Sequence, residues 1–248
     1  MPDSLPFSRR ALLTSVPVAA LPERRIRAVA FDGFTIFDPR SVAKRAEEVL
    51  PGRGAALAGA WRTRQFEYTW LRSLTGSYAD FWQVTGEALT YAAKEEQIPI
   101  TRAQHAELMS SFLTLKAWPD APAALRRMKE HGLRLALLCN FTVRMLDAAV
   151  GSAGLGGLFE PHLSTDRVGV FKPAPAAYRM AVEAFGLERD EIAFAAFGGW
   201  DAAGAKRFGF PTFWVNRLSL PVEELGVAPD AQGPGLDALM GFSLAARR

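Results

Sequence analysis

The chain has 248 residues, 49% of them hydrophobic, and a formal net charge of +3. This size and composition allow a large buried core, in one α/β domain or in a core with a modest insertion, and exclude disorder for most of the chain. Basic and acidic residues are interspersed along the chain, so nucleic acid is not an expected partner. One cysteine and three histidines, none in ligand-like pairs, exclude a Cys/His zinc site and an internal disulfide.

Residues 1–24 have the composition of an N-terminal extension. Arg9 and Arg10 precede a short apolar stretch, 12–21, in which Val18 and Ala20 are spaced like a small-residue cleavage site. The order Ser-Arg-Arg-x-x-Leu is similar to a twin-arginine export signal. Two interpretations stay open: export to the periplasm, or a cytoplasmic protein whose extension contains two arginines by chance. The stretch is about half of the roughly 20 residues that span a bilayer, so no membrane association is expected.

Apolar runs that alternate with amphipathic segments predict the core of the fold. The four candidate buried strands are 26–31, 133–139, 191–197 and 212–216. Their alternation with helices predicts an α/β fold with a doubly wound parallel sheet, in which ligands bind beyond the carboxyl ends of the strands. Asp32, Cys139, Asn140 and the segment 198–201 all follow a predicted strand. We therefore expect these residues to line one rim of the sheet.

The interval 40–117 interrupts this alternation because its pattern is helical throughout. Trp61, Phe66, Trp70 and Leu74 recur there at helical spacing. We predict a helical cap subdomain at 40–117, inserted into a core formed by 25–39 and 118–248. A cap of this kind supplies side chains from above and excludes water from a site below it.

Asp32 is the first candidate for chemistry. A carboxylate at a strand end can attack an electrophilic carbon or phosphorus, although an Asp at this position can also be a simple turn residue. Two positions later stands Phe34 instead of an acid. Nothing in this turn can therefore protonate an alkoxide leaving group, and a leaving group that needs no proton, such as halide, fits better.

Residues 27–240 resemble the L-2-haloacid dehalogenases of the haloacid dehalogenase (HAD) superfamily. The resemblance is carried by "AFDGFTIFD", "WRTRQFEYTWLRSL", "LALLCN", "VFKPAPAAY" and "GGWDAAGAKRFGFPTFWVNR", in the family's order and spacing. The long second stretch is much more specific than a short motif such as "VFKP". The resemblance implies a HAD-like, Rossmann-type core with an inserted helical cap.

The resemblance also implies a reaction centred on Asp32. This residue would displace halide from C2 of the substrate and form an ester, whose carbonyl carbon is then attacked by water. Arg62, Asn140 and Phe81 would lie beside the departing halide, where N–H groups can stabilise developing negative charge. The remaining apolar walls of the site would be Phe34 and Trp200.

Four further residues would support the nucleophile. The resemblance implies that Lys172 holds Asp32 ionised and that Tyr178 supports this lysine. Asp201 would position the lysine or the hydrolytic water, and Thr35 would orient the carboxylate of Asp32.

Two departures from the family pattern affect the ends of the predicted strands 26–31 and 133–139. Asp32 and Asp38 are six positions apart where the family usually has seven, so the loop is one residue shorter and the equivalence of Thr35 is open. Cys139 stands where the family usually has serine, and a thiol is the weaker hydrogen-bonding group. We expect binding of the substrate carboxylate to be altered there.

The largest departure precedes Trp200 and Asp201. The family's fourth motif commonly contains Ser-Asn-x-Trp-Asp, whereas residues 196–199 are Ala-Phe-Gly-Gly. Ester hydrolysis could be slower, could use a water held by the backbone, or could fail.

Three functions therefore remain open at the level of sequence. The leading hypothesis is a cofactor-free and metal-free (S)-2-haloacid dehalogenase that acts on short 2-haloalkanoic acids. The first rival is a Mg²⁺-dependent phosphatase of the same superfamily, which Phe34 and the single acid, Asp201, in the fourth motif disfavour. The second rival is a non-catalytic protein that binds a small carboxylate. The resemblance also implies a homodimer.

Overall fold

The computed structural model describes residues 25–160 and 162–245, so the predicted export signal lies outside the described residues. The strands are β1 (Ala28–Phe31), β2 (Arg134–Cys139), β3 (Leu163–Ser164), β4 (Ile192–Ala196), β5 (Thr212–Val215) and β6 (Ala231–Gly233). The helices are α1 (Gly33–Ile36), α2 (Arg40–Val49), α3 (Gly54–Thr75), α4 (Phe81–Glu95), α5 (Arg102–Ser110), α6 (Ala121–Glu130), α7 (Val143–Ser152), α8 (Pro175–Phe185), α9 (Gly199–Phe208) and α10 (Leu236–Ala245).

The strands form one parallel six-stranded sheet in the order β3-β2-β1-β4-β5-β6. This arrangement confirms the predicted doubly wound α/β fold. Strand order reverses between β1 and β4, and ligands bind at such switch points beyond the carboxyl ends of the strands. Phe31, the last residue of β1, is paired with Leu137 of β2 and Ala195 of β4. The residues that follow these three strands therefore meet at one rim.

Successive residues of the central strand are buried on opposite faces of the sheet. Val29 and Phe31 belong to one hydrophobic cluster, which also includes α6 and the inserted helices. Ala28 and Ala30 belong to the other cluster, which lies under α8 and α9. Both faces of a parallel sheet are covered in this way, which explains why its strands are continuous apolar runs.

The four predicted strands are present, with boundaries one or two residues shorter. Sequence patterns missed β3 and β6, which have only two and three residues. β6 is Ala-Gln-Gly, and none of its residues is fully buried. Such short edge strands have neither an apolar run nor a periodicity that could identify them.

Helices α2–α5, which we call the inserted helices, lie between β1 and α6 in the chain. Trp61 of α3 is buried, and its indole N–H donates to the carbonyl of Thr85 in α4 at 2.8 Å. α3 also crosses α2 closely, since a Cβ at Gly54 would lie 2.2 Å from the backbone of Ala46. Leu74 is 84% exposed, so the apolar spacing of α3 extends beyond its buried face. Within 25–160 and 162–245, no helix is both long and apolar enough to cross a bilayer.

Candidate active site

The carboxylate of Asp32 is held at the carboxyl end of β1 by contacts on both of its oxygens. Asp32 caps α1, and its Oδ2 accepts the backbone N–H of Phe34 at 3.0 Å. Its Oδ1 accepts a hydrogen bond from Nζ of Lys172 at 2.7 Å. The predicted contact of Thr35 with the carboxylate is absent, because the Thr35 hydroxyl donates to the backbone carbonyl of Asp32 at 2.6 Å. Thr35 therefore stabilises the turn and not the orientation of the carboxylate.

Lys172 lies between two carboxylates, with only 1% of its side chain exposed. Its Nζ is 2.7 Å from Oδ1 of Asp32 and 2.6 Å from Oδ2 of Asp201. Burial acts to lower the pKa of the ammonium, but the charges of Asp201 and Asp32 outweigh this effect and raise the pKa above its usual value. The backbone N–H of Lys172 donates to Oδ1 of Asn140 at 3.0 Å, which fixes the lysine to the end of β2.

Asp201 is the buried anchor of this lysine. Its Oδ2 binds Lys172, and its Oδ1 accepts the hydroxyl hydrogen of Tyr178 at 2.7 Å. Burial raises the pKa of Asp201 to about 6, with Lys172 opposing the shift and the charge of Asp32 adding to it. The prediction that Tyr178 supports the lysine needs correction, since its hydroxyl contacts the carboxylate and backbone carbonyl of Asp201. Tyr178 acts on Lys172 only through Asp201.

The other polar groups of the site come from the inserted helices and the end of β2. Arg62 of α3 and Asn140 line the same cavity as Asp32. Desolvation lowers the pKa of the Arg62 guanidinium, and the nearby Asp32 carboxylate partly opposes this shift. Because Oδ1 of Asn140 accepts the N–H of Lys172, the amide NH₂ is the group that Asn140 can offer to the cavity. Two N–H donors thus accompany the carboxylate, as the stabilisation of an anion requires.

Aromatic side chains close the cavity around these polar groups. Phe81, buried at the start of α4, stacks on Phe141 with ring centroids 5.3 Å apart. Phe34 packs edge-on against Phe141 at 5.2 Å and lies 5.8 Å from Phe197. The enclosed space is about 20 Å³, which holds roughly one water molecule.

A second aromatic cluster joins the inserted helices to the core. Trp200 contacts Phe66 at 5.4 Å and Trp70 at 5.7 Å, and both partners are on α3. Phe66 and Trp200 also line the cavity. The helical spacing of Phe66 and Trp70 predicts that both pack inside the inserted helices. Their half-buried rings instead pack on Trp200, a residue of the α/β domain more than 100 positions away.

The structure brings the predicted residues together at the rim, with the exception of the Thr35 hydroxyl. Sequence reasoning missed Phe141 and the lining role of Phe197. Phe141 directly follows Asn140, and Phe197 is the last residue of the predicted strand 191–197. The rule of strand carboxyl ends would therefore have found both, had it been widened by one residue in each direction.

Comparisons with known proteins identify the family. A family profile described as "haloacid dehalogenase-like hydrolase" matches residues 26–209. The chain is 40% identical to an (S)-2-haloacid dehalogenase of Pseudomonas sp. (strain YL) over 216 residues, which cover 87% of this chain and 93% of the relative. It is 37% identical to haloacetate dehalogenase H-2 of Moraxella sp. (strain B), with 88% and 97% covered. The chain belongs to the L-2-haloacid dehalogenase family of the HAD superfamily.

Solved structures of this family have the same fold. The L-2-haloacid dehalogenase RSc1362 superposes with a TM-score of 0.86 at 46% identity, covering 88% of this chain and 99% of that chain. The L-2-haloacid dehalogenase from Xanthobacter autotrophicus with chloropropionic acid covalently bound gives a TM-score of 0.81 at 36% identity, with 88% and 98% covered.

This member of the haloacid dehalogenase family carries a thiol and two glycines at the rim. Cys139 is buried, and its Sγ lies 3.8 Å from the carbonyl of Phe31. Burial raises the pKa of this thiol well above its usual value, so it stays neutral. A Cβ at Gly198 would lie 2.7 Å from the indole nitrogen of Trp200. Glycine at position 198 therefore allows the indole of Trp200 to lie where it does.

The described part of the chain, 25–160 and 162–245, contains no group of three or more His, Cys, Asp or Glu side chains that could hold a metal ion. The space between Asp32 and Asp201 is filled by the ammonium of Lys172. Both oxygens of Asp201 are also engaged by protein partners. This set of residues therefore fits a buried ammonium and not a hard divalent cation, which requires several oxygen ligands.

Lys172→Met is expected to destabilise the protein by about 3–5 kcal/mol at pH 8, because it leaves the buried Asp201 without its counter-charge. Loss of the lysine charge also raises the pKa of Asp201 further above 6. At pH 5 the variant's carboxyl group is then protonated and neutral, so the deficit relative to wild type becomes smaller. Urea unfolding at pH 5 and pH 8 measures both effects.

Lys206→Met is the matched control. Lys206 pairs with Asp230 at 2.6 Å, but both side chains are 34% exposed. This substitution should change stability by less than about 1 kcal/mol at either pH. A loss of the same size in both variants, or a Lys172→Met deficit that does not change with pH, would contradict the proposed role of the buried ion cluster.

Proposed function

We propose that the protein is an (S)-2-haloacid dehalogenase that hydrolyses the carbon–halogen bond of short 2-haloalkanoic acids through an ester on Asp32. The observation that carries the proposal is the nucleophile geometry. The Asp32 carboxylate lies 2.7 Å from the ammonium of Lys172 and faces a cavity that also contains Arg62 and Asn140. Relatives of the chain that carry this name, at 34–40% identity, support the assignment.

In the first step, the Asp32 carboxylate attacks C2 from the side opposite the halogen. The new C–O bond forms as the C–halogen bond breaks, and the bonding electron pair leaves with the halide, so the configuration at C2 inverts. Arg62 and the amide NH₂ of Asn140 stabilise the departing anion. The apolar rings of Phe34 and Phe81 exclude bulk water, which strengthens these interactions.

In the second step, water attacks the carbonyl carbon of the Asp32 ester. The ammonium of Lys172, next to the Asp32 oxygens, stabilises the negative charge of the tetrahedral intermediate. Collapse of the intermediate releases the 2-hydroxy acid and restores the Asp32 carboxylate. One proton of the water passes to the product oxygen and the other is released to solvent.

We infer that the fourth motif is altered in a way that slows this second step. Residues 196–199 offer no polar side chain, and Ala196 is fully buried. Asp201 cannot readily serve as the base, because Lys172 and Tyr178 occupy its two oxygens. The hydrolytic water would then be held by backbone groups and by the ion cluster itself.

We also infer that the inserted helices act as a cap over this site. They supply Arg62 and Phe81 to the cavity. Hydrogen bonds tie them to the core: the hydroxyl of Ser73 accepts the backbone N–H of Phe171 at 3.0 Å, and the hydroxyl of Tyr78 donates to Asp166. The free space of about 20 Å³ in this cavity is smaller than a haloacid. The cap or the cavity walls must therefore move when substrate enters.

A homodimer is the proposed assembly. Leu71 and Leu74, near the end of α3, are 54% and 84% exposed, and Tyr91 of α4 is 39% exposed. Large exposed apolar side chains on two packed helices support a surface that another protein covers. α3 and α4 would then contribute the dimer interface.

The two rival functions make different demands on the same residues. A Mg²⁺-dependent phosphatase requires oxygen ligands around a cation, whereas Asp201 is fully engaged and Phe34 contributes no carboxylate. A non-catalytic binder of small carboxylates is favoured by the apolar segment 196–199. This rival predicts that an ester accumulates on Asp32 without turnover, or that no ester forms.

Wild-type protein should release halide from L-2-chloropropionate and bromoacetate, and much more slowly from D-2-chloropropionate, because displacement needs one face of C2 toward Asp32. Asp32→Asn should abolish release, since an amide is a far poorer nucleophile than a carboxylate. Halide assays with and without EDTA, together with circular dichroism of the variant, check this. Halide release by a folded Asp32→Asn variant, or EDTA-sensitive release by wild type, would contradict the proposal.

Activity should fall as pH drops through about 6, because protonation of Asp201 removes one of the two anchors of Lys172. The hydrogen bond from Tyr178 lowers the pKa of Asp201. Tyr178→Phe should therefore move the acid limb of the kcat profile to higher pH, by up to about one unit.

Tyr91→Phe, at an exposed position on α4, provides the control and should leave the profile in place. An acid limb that stays fixed in Tyr178→Phe, or that moves to lower pH, would rule out Asp201 as the controlling group.

A further inference from the structure

A second cavity adjoins the catalytic one. This side chamber, of about 300 Å³, is lined by residues of α2 and α3 together with Phe112 and Leu218, and it opens to solvent where Ala55 and Gly59 are exposed. It shares two lining residues, Phe34 and Arg62, with the cavity that contains Asp32. The ring of Phe34 and the side chain of Arg62 therefore form the partition between the nucleophile and the chamber.

The lining of the side chamber favours an apolar occupant. Most of its wall consists of apolar side chains, among them Val42, Ala58, Trp61 and Phe112. Two polar groups in the wall already have protein partners. Arg40 pairs with Asp38 at 2.7 Å, and Nε2 of Gln65 donates to Thr85 at 2.7 Å. Arg62 is the charged group that faces both cavities.

The two cavities differ greatly in volume. The catalytic cavity holds about 20 Å³, while the chamber directly behind its partition holds about 300 Å³. Trp200, Phe66 and Trp70 pack together on another side of the catalytic cavity. A substituent on C2 that extends past Phe34 and the exposed Arg62 would meet open apolar space.

We propose that the side chamber is the subsite for the alkyl tail of the substrate, so that among short 2-haloalkanoic acids the enzyme prefers those whose tails have several methylene groups. This proposal rests on the dehalogenase function for its substrate. C2 of such an acid stays beside Asp32 with its halogen toward Arg62 and Asn140, and its tail passes between Phe34 and Arg62 into the chamber. Each methylene group that leaves water there strengthens binding roughly fourfold.

Ala58→Leu tests the subsite, because Ala58 is a half-buried lining residue and the larger side chain fills the chamber. In wild type, kcat/KM for L-2-bromohexanoate should exceed that for L-2-bromopropionate. Ala58→Leu should lower this ratio at least tenfold. Gly59 also lines the chamber, and a Cβ there has no neighbour within 4 Å, so Gly59→Leu is a second variant that should lower the same ratio.

Ala56→Leu is the matched control on the same helix. Ala56 is exposed and does not line the chamber, so this variant should keep the wild-type ratio. A wild-type ratio below one would overturn the proposal. An equal loss for both acids in Ala58→Leu would also overturn it, because the chamber would then be an entry path and not a tail subsite.

Binding of unhalogenated acids separates this proposal from the proposed function. Calorimetry of wild type with hexanoate and propionate should show hexanoate bound more tightly, by up to roughly 60-fold for three methylene groups. Ala58→Leu should remove most of that difference. Equal affinities of wild type for hexanoate and propionate would overturn the subsite, whether or not the protein releases halide. Tighter binding of hexanoate without any halide release would contradict the dehalogenase function alone.

Discussion

A buried ammonium between two carboxylates is the interaction on which the site depends. Lys172 is almost completely buried, which is unfavourable for a charged group unless counter-charges surround it. Asp32 directly follows β1, and Asp201 lies in the first turn of α9, which follows the adjacent strand β4; these two residues supply the charges. The order of the strands thus determines where the lysine can be buried, and the lysine in turn holds the carboxylate of Asp32 at the rim.

Groups outside this cluster fix its geometry. Tyr178 holds the second oxygen of Asp201, and Asn140 holds the backbone of Lys172. These contacts come from α8 and from the end of β2, so four separate segments of the chain meet around one ion cluster. Removal of any one partner leaves a buried polar group unsatisfied, which is costlier than loss of a surface contact.

Much of the fold and part of the site followed from the sequence because they depend on local patterns. Asp32, Asn140 and Asp201 each follow an apolar run, and the carboxyl ends of parallel strands meet at one edge. Lys172 has no such signal, since it lies in a loop before α8, and it was identified only through the family resemblance. The sequence led us to expect the Thr35 hydroxyl at the carboxylate of Asp32, but it donates to the backbone carbonyl of Asp32. The side-chain contacts of a four-residue helix depend on the backbone angles of the turn, which the sequence pattern does not give. The packing of Trp200 on Phe66 and Trp70 joins distant segments, which periodicity along the chain cannot reveal.

The central claim, that Asp32 carries the substrate as an ester, is tested most directly by a single turnover in ¹⁸O-labelled water with enzyme in excess over L-2-chloropropionate. If water attacks the ester carbonyl, the label enters the Asp32 carboxylate, and the hydroxyl oxygen of the first product comes from the protein. Mass spectrometry of the peptide that contains Asp32 and of the released 2-hydroxy acid distinguishes the two positions. Label found in the product and absent from Asp32 would mean that water attacks C2 directly, and it would contradict the account.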